Sequence, residues 1–499
     1  MITVTASADD VGIRVLAASA RAAMAAAGGD GEGVGLAARQ LSVDARLRLR
    51  GGEEDVSLTL TAAVRGTEFV LTLRDLGEPV TGAPDGVLSL LESGVATMAD
   101  ARTDGTGNIT EVRFALPGHD RLIDAHALEV LPEDSEPLEI PVTFRAMRAE
   151  DAPSLTRALF RCYGWSYPNQ DLYYPERIAA SLEAGERIGE VAVTAEGEVV
   201  SHWGAVYLSP TVVETGGTVT DPRFRRRGIA NSLGQRLLER LGELGVRGRL
   251  REPVLTHPAT QEIALREGAT IVGAYVGAAH PVQQIGITDG LLPARISLSV
   301  AYSALHPLMP ATVWIPGPYE PMATMVLEGS GWPREIALPR PDADCPDVTV
   351  CSTTFNASSA FGVVNVEVIG RDLLDVIDRA LHQMRRTGAA YVQVFLPANQ
   401  PALGTLAAGL VELELGFAAF IPEFRPSAPL PDGSVDAGDV LVTQWLAEPD
   451  VDTSGWVFAS DDVRELVMAV ALQAKDVGFR GQHRQLRAAR RAQLFAALG

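Results

Sequence analysis

The amino-acid sequence predicts a mixed α/β (α+β) protein of three domains followed by a helical tail. Its 499 residues, 46% of them apolar, are more than one core organises, and a length of this order corresponds to about three domains. Period-two runs such as Val56, Leu58, Leu60 and helical-period runs such as Leu233, Leu237, Leu241 occur in succession, as in sheets with helices packed on them. Prolines and the acidic run Pro132-Glu-Asp-Ser-Glu-Pro137 then mark a linker. The expected division is 1–116, a linker over 117–141, 142–280, 281–450, and a tail over 451–499.

Composition narrows the function classes. Lys and Arg total 42 against 63 Asp and Glu, a net charge of −21, which argues against nucleic acid or anionic lipid as a partner. The three cysteines, Cys162, Cys345 and Cys351, show neither metal spacing nor an even disulfide framework. No metal is expected. The opening residues lack a basic segment and an apolar core, and the uncharged run around 387–411 is interrupted by Pro397, Pro401 and Gly404. A cytoplasmic protein without membrane spans is expected.

The front unit reads as helices over 11–27 and 36–49, then strands carrying Leu58 and Leu60, Phe69, Leu71 and Leu73, and Val112 and Phe114. Two turns stand out, Asp75-Leu-Gly77-Glu-Pro79 and Gly105-Thr-Gly107-Asn108. This order of elements with an Asp-x-Gly turn resembles the ATP-binding domain of the GHKL superfamily, in the short form of anti-sigma factor serine kinases. The resemblance implies that Asp75 and Gly77 hold the adenine of ATP or ADP. Where the family carries Glu-x-x-x-Asn for water activation and magnesium, this chain has Gln40-Leu-Ser-Val-Asp44, so the match departs at the phosphotransfer residues. The alternative is that Asp75-Leu-Gly77 is simply a turn between strands.

The middle unit holds the most informative stretch. Thr218, Val219 and Thr220 are β-branched, Asp221-Pro222 breaks the strand, and a helix follows from Ile229. Arg225, Arg226 and Arg227 lead into Gly228, Ile229, Ala230 and Asn231. Unpaired amides and a partial positive charge at a helix start, entered through glycine beside guanidiniums, make an anion site. Upstream come a strand at 142–146, a helix begun by Asp151, a cluster of Tyr163, Trp165, Tyr167, Tyr173 and Tyr174, a helix over 175–184, and strands near 190–194, 199–208 and 212–220. Downstream come a strand over 249–255 and a helix over 260–267. The unit resembles the GNAT superfamily of acyl-CoA N-acyltransferases, whose Arg/Gln-x-x-Gly-x-Gly/Ala signature is met by Arg225-Arg-Arg-Gly228-Ile-Ala230.

That resemblance implies acetyl-CoA as co-substrate. The loop amides would take its pyrophosphate, the strand at Thr218, Val219 and Thr220 its pantetheine, and an amine on a small molecule or peptide would be the acceptor. The chain departs from the family at the catalytic positions. Ala264 stands where a general-acid tyrosine is common, and Gly216 and Gly217 where a general-base Glu is often found. Glu214 is the nearest carboxylate and the candidate base, unless it is a solvated strand-edge residue. Tyr174 or Tyr173 is the candidate acid, or else part of the acceptor-pocket wall.

In the last unit, strands near 296–302 and 311–315 and a helix over 319–329 precede a clearer series. Strand 363–369, helix 371–387, strand 391–396, helix 401–415 and strand 418–421 follow the way a GNAT fold ends, with a closing strand near 439–445. A degenerate second copy is expected, without the signature loop and hence without coenzyme A. The tail is helical by pattern and carries Arg480, Arg484, Arg487, Arg490 and Arg491, either a docking arm or a solvated face. The functional expectation is an acetyl-CoA-dependent N-acetyltransferase, modulated by nucleotide at the front unit. The second reading is a non-catalytic sensor whose front unit binds a nucleotide or a protein partner.

Overall fold

The computed structural model describes residues 1–49, 57–118, 138–281, 292, 294–340, 344–426, 428–429, 435–436 and 438–498, so the expected linker falls mostly outside the described residues. The front unit begins with an edge strand, β1 (Ile2–Ser7), that the sequence reading passed over because its residues are largely exposed. Helices α1 (Asp10–Ala26) and α2 (Gly31–Arg48) follow. Asp9 starts α1 by accepting hydrogen bonds from the amides of Val11 and Gly12. Gly12 is needed there, because a Cβ would lie 1.9 Å from the Ser7 carbonyl oxygen. Then come β2 (Ser57–Arg65), β3 (Glu68–Asp75), α3 (Asp85–Glu92), β4 (Met98–Asp104) and β5 (Gly107–Ala115). They form an antiparallel sheet in the order β1-β2-β3-β5-β4. Strand β4 is not among the expected elements, because its inward side chains, Ala99 and Ala101, are too small to give a period-two signal.

The middle unit contains β6 (Thr143–Ala146), α4 (Ala152–Tyr163), α5 (Pro175–Glu183), β7 (Arg187–Val193), β8 (Val199–Tyr207), β9 (Val212–Thr220), α6 (Ile229–Glu243), β10 (Gly248–Arg251), α7 (Ala259–Arg266), β11 (Thr270–Ala279) and β12 (Ile296–Ala304). Strand β12, read from sequence with the last unit, pairs with β10 and β11 and so closes this sheet. The order is β6-β7-β8-β9-β10-β12-β11, and only β9 and β10 run parallel. Leu233, Leu237 and Leu241 recur at helical spacing and seat α6 on Ile188, Trp203 and Ala205. Gly234 allows that approach, since a Cβ there would sit 2.3 Å from the Trp203 ring.

The last unit comprises β13 (Ala311–Val313), α8 (Glu320–Ser330), β14 (Arg334–Ile336), β15 (Val350–Asn356), β16 (Phe361–Val368), α9 (Leu373–Arg386), β17 (Tyr391–Pro397), α10 (Leu403–Leu406), β18 (Gly416–Ile421), the short β19 (Ala428–Pro429) and β20 (Val435–Asp436), and β21 (Val440–Leu446). The helix expected over 401–415 is broken: α10 gives way to 3₁₀ turns over Ala407–Leu413. The pairing of β15, β16, β17, β21 and β18 repeats that of β8, β9, β10, β12 and β11. Each series has an antiparallel pair, a parallel pair joined through a helix, and a final hairpin whose second strand inserts beside the parallel pair. Helix α11 (Asp461–Leu498) buries Val463, Leu466, Val467 and Val470. Arg480 pairs with Asp476, whereas the side chains of Arg484, Arg487, Arg490 and Arg491 lie outside the described residues.

Two junctions fuse the units into one sheet. Strand β4 pairs antiparallel with β15, so the front sheet occupies the edge where β7 stands in the middle unit. Strand β11 meets β18 at Gly273 and Ala419, where a Cβ on Gly273 would be 1.8 Å from the Ala418 carbonyl oxygen. Seventeen strands join among the described residues. Although β2 and β7 are far apart in that order, the turn after β2 returns to α5: Arg177 Nε donates to Thr67 Oγ1 at 2.6 Å, and Arg65 pairs with Glu186. Among the described residues no helix is long and apolar enough to cross a membrane.

Candidate functional site

The β9–α6 connection forms one wall of a cleft of about 510 Å³ lined by Thr218, Thr220, Arg225, Gly228, Ala230 and Ile263 among others. Its entrance is fixed by charge. Buried Asp221 accepts hydrogen bonds from Arg161 at 2.6 Å and from Arg223 at 2.8 Å, and Glu198 pairs with both arginines. Those two guanidiniums are neutralised. Arg225 and Arg227 instead donate to the carbonyls of Thr220 and Leu138, and neither has a carboxylate partner among the described residues, so their charge stays with the cleft. Gly228 caps α6 at φ +73° without a side-chain hydrogen bond, which leaves the first-turn amides of the helix uncapped. Cys162 lies in the same cleft, and burial pushes its thiol up to about 11, so it is no nucleophile.

Beside this loop the sheet opens. The β9–β10 ladder runs from Val212 opposite Gly248 only to Glu214 opposite Leu250, and beyond that no β9–β10 pairing continues. A bulge marks the same place: Gly217 has φ +62°, and the β8–β9 register slips between His202 and Gly204. Glu214 folds over Gly216, where a Cβ would lie 3.2 Å from its Oε1. Burial raises the Glu214 carboxyl and the nearby Arg187 guanidinium opposes the rise. Glu252, at the end of β10, is raised well above the usual range, first by burial and then by Glu214. The two carboxyls stand in unlike surroundings: Arg187 favours charge on Glu214, whereas Glu214 disfavours it on Glu252. The Tyr167 hydroxyl accepts the Gly217 amide at 2.9 Å and is pushed up to about 12, by burial and then by Glu214. The last unit adds Tyr391 and Gln393 near Glu252 and Tyr275.

Residues 152–263 match the model of the acetyltransferase (GNAT) family. This stretch is a GNAT acetyltransferase domain. Solved structures it resembles include an N-acetyltransferase from Staphylococcus aureus (16% identity, 33% of this chain and 99% of that one, TM-score 0.27). Others are an acetyltransferase from Salmonella typhimurium with its cofactor acetyl-CoA (16%, 33% and 95%, 0.27) and the ribosomal-protein-S18-alanine N-acetyltransferase from Escherichia coli (14%, 33% and 94%, 0.27). No curated protein matches the sequence.

Within the acetyltransferase domain the structure distributes the candidate residues unevenly. Thr218, Val219, Thr220 and the loop from Arg225 to Asn231 converge on the cleft, and Glu214 lies on the strand that leads to it. Tyr174 lies apart from them, under the Arg177 guanidinium at 4.2 Å. Tyr173 is fully buried and staples its own loop, donating to the Gly164 carbonyl and accepting from the Tyr167 amide. The tyrosine loop therefore sends Tyr167, not Tyr173 or Tyr174, to the carboxylate. Ala264 is fully buried in the core. Neither Glu252 nor Tyr167 had a motif to announce it; the signal was the strand-ending Glu252-Pro253 and the aromatic cluster.

His202 supports the bulge. Its Nδ1 lies 2.8 Å from the Gly217 carbonyl, its Nε2 has no hydrogen-bond partner among the described residues, and burial holds the ring down to about 4. The folded-state pKa is depressed below the ordinary 6.5, so neutral His202 contributes stability above pH 6.5 that is lost as pH falls toward 4. That loss should reach about 3 kcal/mol. His202→Asn keeps a donor near the Nδ1 position and removes the titration; its urea midpoint should therefore fall less than the wild type's over the same interval. Parallel curves would contradict this role.

The other two candidate ligand sites are filled from within. In the front unit Asp44, Asp75 and Gly77 do come together, around Arg48, which pairs with both carboxylates. Asp75 is buried and also accepts from Asn108 at 2.8 Å and the Gly77 amide at 2.9 Å, leaving no open carboxylate face for an adenine. In the last unit the β16–α9 turn is closed by the chain before β15. The Gly370 amide donates to Thr349 Oγ1, the Arg371 amide to the Pro346 carbonyl, and Asp372 accepts the Thr349 amide. A Cβ on Gly370 would lie 2.3 Å from the Thr349 nitrogen. The amides before α9 are thus occupied, whereas the start of α6 has no side-chain cap.

Proposed function

We propose that the chain transfers an acetyl group from acetyl-CoA to an amine, with the middle unit as the catalytic one. The observation that carries this is the adjacency of an uncapped, glycine-entered helix start with unneutralised arginines to the point where β9 leaves β10. The first-turn amides of α6, with Arg225 and Arg227, suit a pyrophosphate. The unpaired edge of β9 from Thr218 to Thr220 suits a pantetheine amide chain. That run leads toward Gly217, whose amide the Tyr167 hydroxyl accepts, with the Glu214 carboxylate near that hydroxyl.

In this reading Glu214 takes a proton from the acceptor ammonium, and the freed amine attacks the thioester carbonyl. The carbon–sulfur bond then breaks; Tyr167, kept protonated by burial, gives a proton to the departing thiolate and regains one from the second proton that the nitrogen sheds as the amide forms. The last unit is read as a second copy of the fold that has lost its ligand loop and walls the cleft near Glu252. The front unit is read as a structural partner; its Asp75 is committed to Arg48, which speaks against modulation by nucleotide. The test is thiol release from acetyl-CoA with a panel of amines, in the presence and absence of ATP. Turnover that is equal with and without ATP is expected. Tight acetyl-CoA binding with no turnover on any amine would replace the enzyme reading with that of a sensor.

A further inference from the structure

Arg187 opens β7 and has no established use. It stands opposite Val206 on β8, and Val206 stands opposite Glu214 on β9. Directly opposed residues share one face of a sheet, so Arg187 and Glu214 lie on the same side, about 10 Å apart between Cα atoms at two strand spacings. That side is the one covered by the tyrosine loop and α5. Arg187 is 8% exposed, its Nε has no hydrogen-bond partner, and no ion pair reaches it among the described residues. Glu214 and Asp171 act on this guanidinium only from beyond ion-pair distance, so a buried cation is left without an anion in contact.

A contacting anion has a place to sit. Arg187 and Val206 form part of a pocket of about 200 Å³ that opens between α5 and the front unit, whose Arg65, Glu68 and Arg113 also line it. The other cations there are already answered: Arg65 by Glu186, Arg113 by Glu111 and Glu68, Arg177 by Asp171. Arg187 alone among the described arginines of the pocket has no carboxylate in contact. A polyamine would bring a second positive charge against it, and a plain alkylamine would leave it unpaired.

We propose that the acceptor is a small amino-carboxylate, whose carboxylate pairs with Arg187 in this pocket while its amine is presented to Glu214. The inference rests on the acyl-transfer reading above and adds the acceptor's chemical class to it. It also gives the front unit a part in the reaction, as the outer wall of the acceptor pocket.

The test measures thiol release by the full chain with the common α-amino acids and with the corresponding amides, alongside calorimetric titration of the same compounds. The wild type should prefer acids over amides in kcat/KM by about tenfold or more. Arg187→Met should remove most of that preference and Arg187→Lys should keep part of it, whereas a merely structural role would lower both substrates together and leave the ratio intact. Equal use of acids and amides by the wild type overturns the proposal without any variant. If no amine is turned over, the transfer reading fails, and titration still decides the pocket: amino-acid binding that weakens in Arg187→Met upholds it, and absence of binding overturns it.

Discussion

Replacing Glu214 by glutamine should lower kcat by about 10²-fold or more with every amine acceptor, the scale on which loss of a positioned general base acts. Glutamine keeps the shape and removes the proton acceptor, so acetyl-CoA affinity should change little. The sign of the pH dependence follows from the environment. Burial raises the Glu214 carboxyl, and Glu252 beside it is raised further. A base must be ionised to act, so kcat/KM of the wild type should fall on the acid side at a pH above the ordinary carboxylate range. The variant should have lost that acid limb along with the rate. A variant that retained both the rate and the limb would assign the base elsewhere, with Glu252 the next carboxylate beside Glu214.

The legibility of this site in the sequence was uneven for physical reasons. The loop from Arg225 to Asn231 could be read because the anion cradle proposed for it would constrain consecutive residues: a positive φ favours Gly228, and charge calls for arginine beside it. Glu214 could be placed by alternation along one strand. Tyr167 could not be chosen from among five clustered aromatics, because which hydroxyl reaches the strand depends on the loop's own fastening by Tyr173. Glu252 escaped because its nearness to Glu214 follows from β10 parting from β9, a relation between two strands that neither strand's pattern contains. The same limit applies to the fold. Helices with strong apolar stripes, such as α6 and α9, were found close to their true ends. The pairing of β4 with β15 and the touch of Gly273 on Ala419 join segments hundreds of residues apart and leave no periodic trace. The closure of the Gly370 turn by Thr349 is likewise a tertiary fact; the sequence showed only that the arginine signature was missing there.

Gly228 offers the sharpest separation of fold from ligand. It sits at φ +73° with nothing within 4 Å of where a Cβ would be, so a side chain there would project into open cleft rather than into the core. Asparagine tolerates this backbone region better than other non-glycine residues, so Gly228→Asn should leave the fold standing, with a cost of about 1 kcal/mol in stability. Its amide group would nevertheless stand at the helix start where an incoming phosphate approaches the first-turn N–H groups. Hydrogen bonds to charged groups contribute about 1.5–3 kcal/mol each, and displacing one or two of them corresponds to a fall in acetyl-CoA affinity of about 10²-fold or more. Gly228→Gln should weaken binding at least as much. Equilibrium titration with acetyl-CoA, read beside a thermal unfolding curve for each variant, checks both halves. Undiminished affinity in a folded Gly228→Gln protein would remove the α6 cradle as the acetyl-CoA site, and with it the assignment of Thr218 to Thr220 as the pantetheine strand.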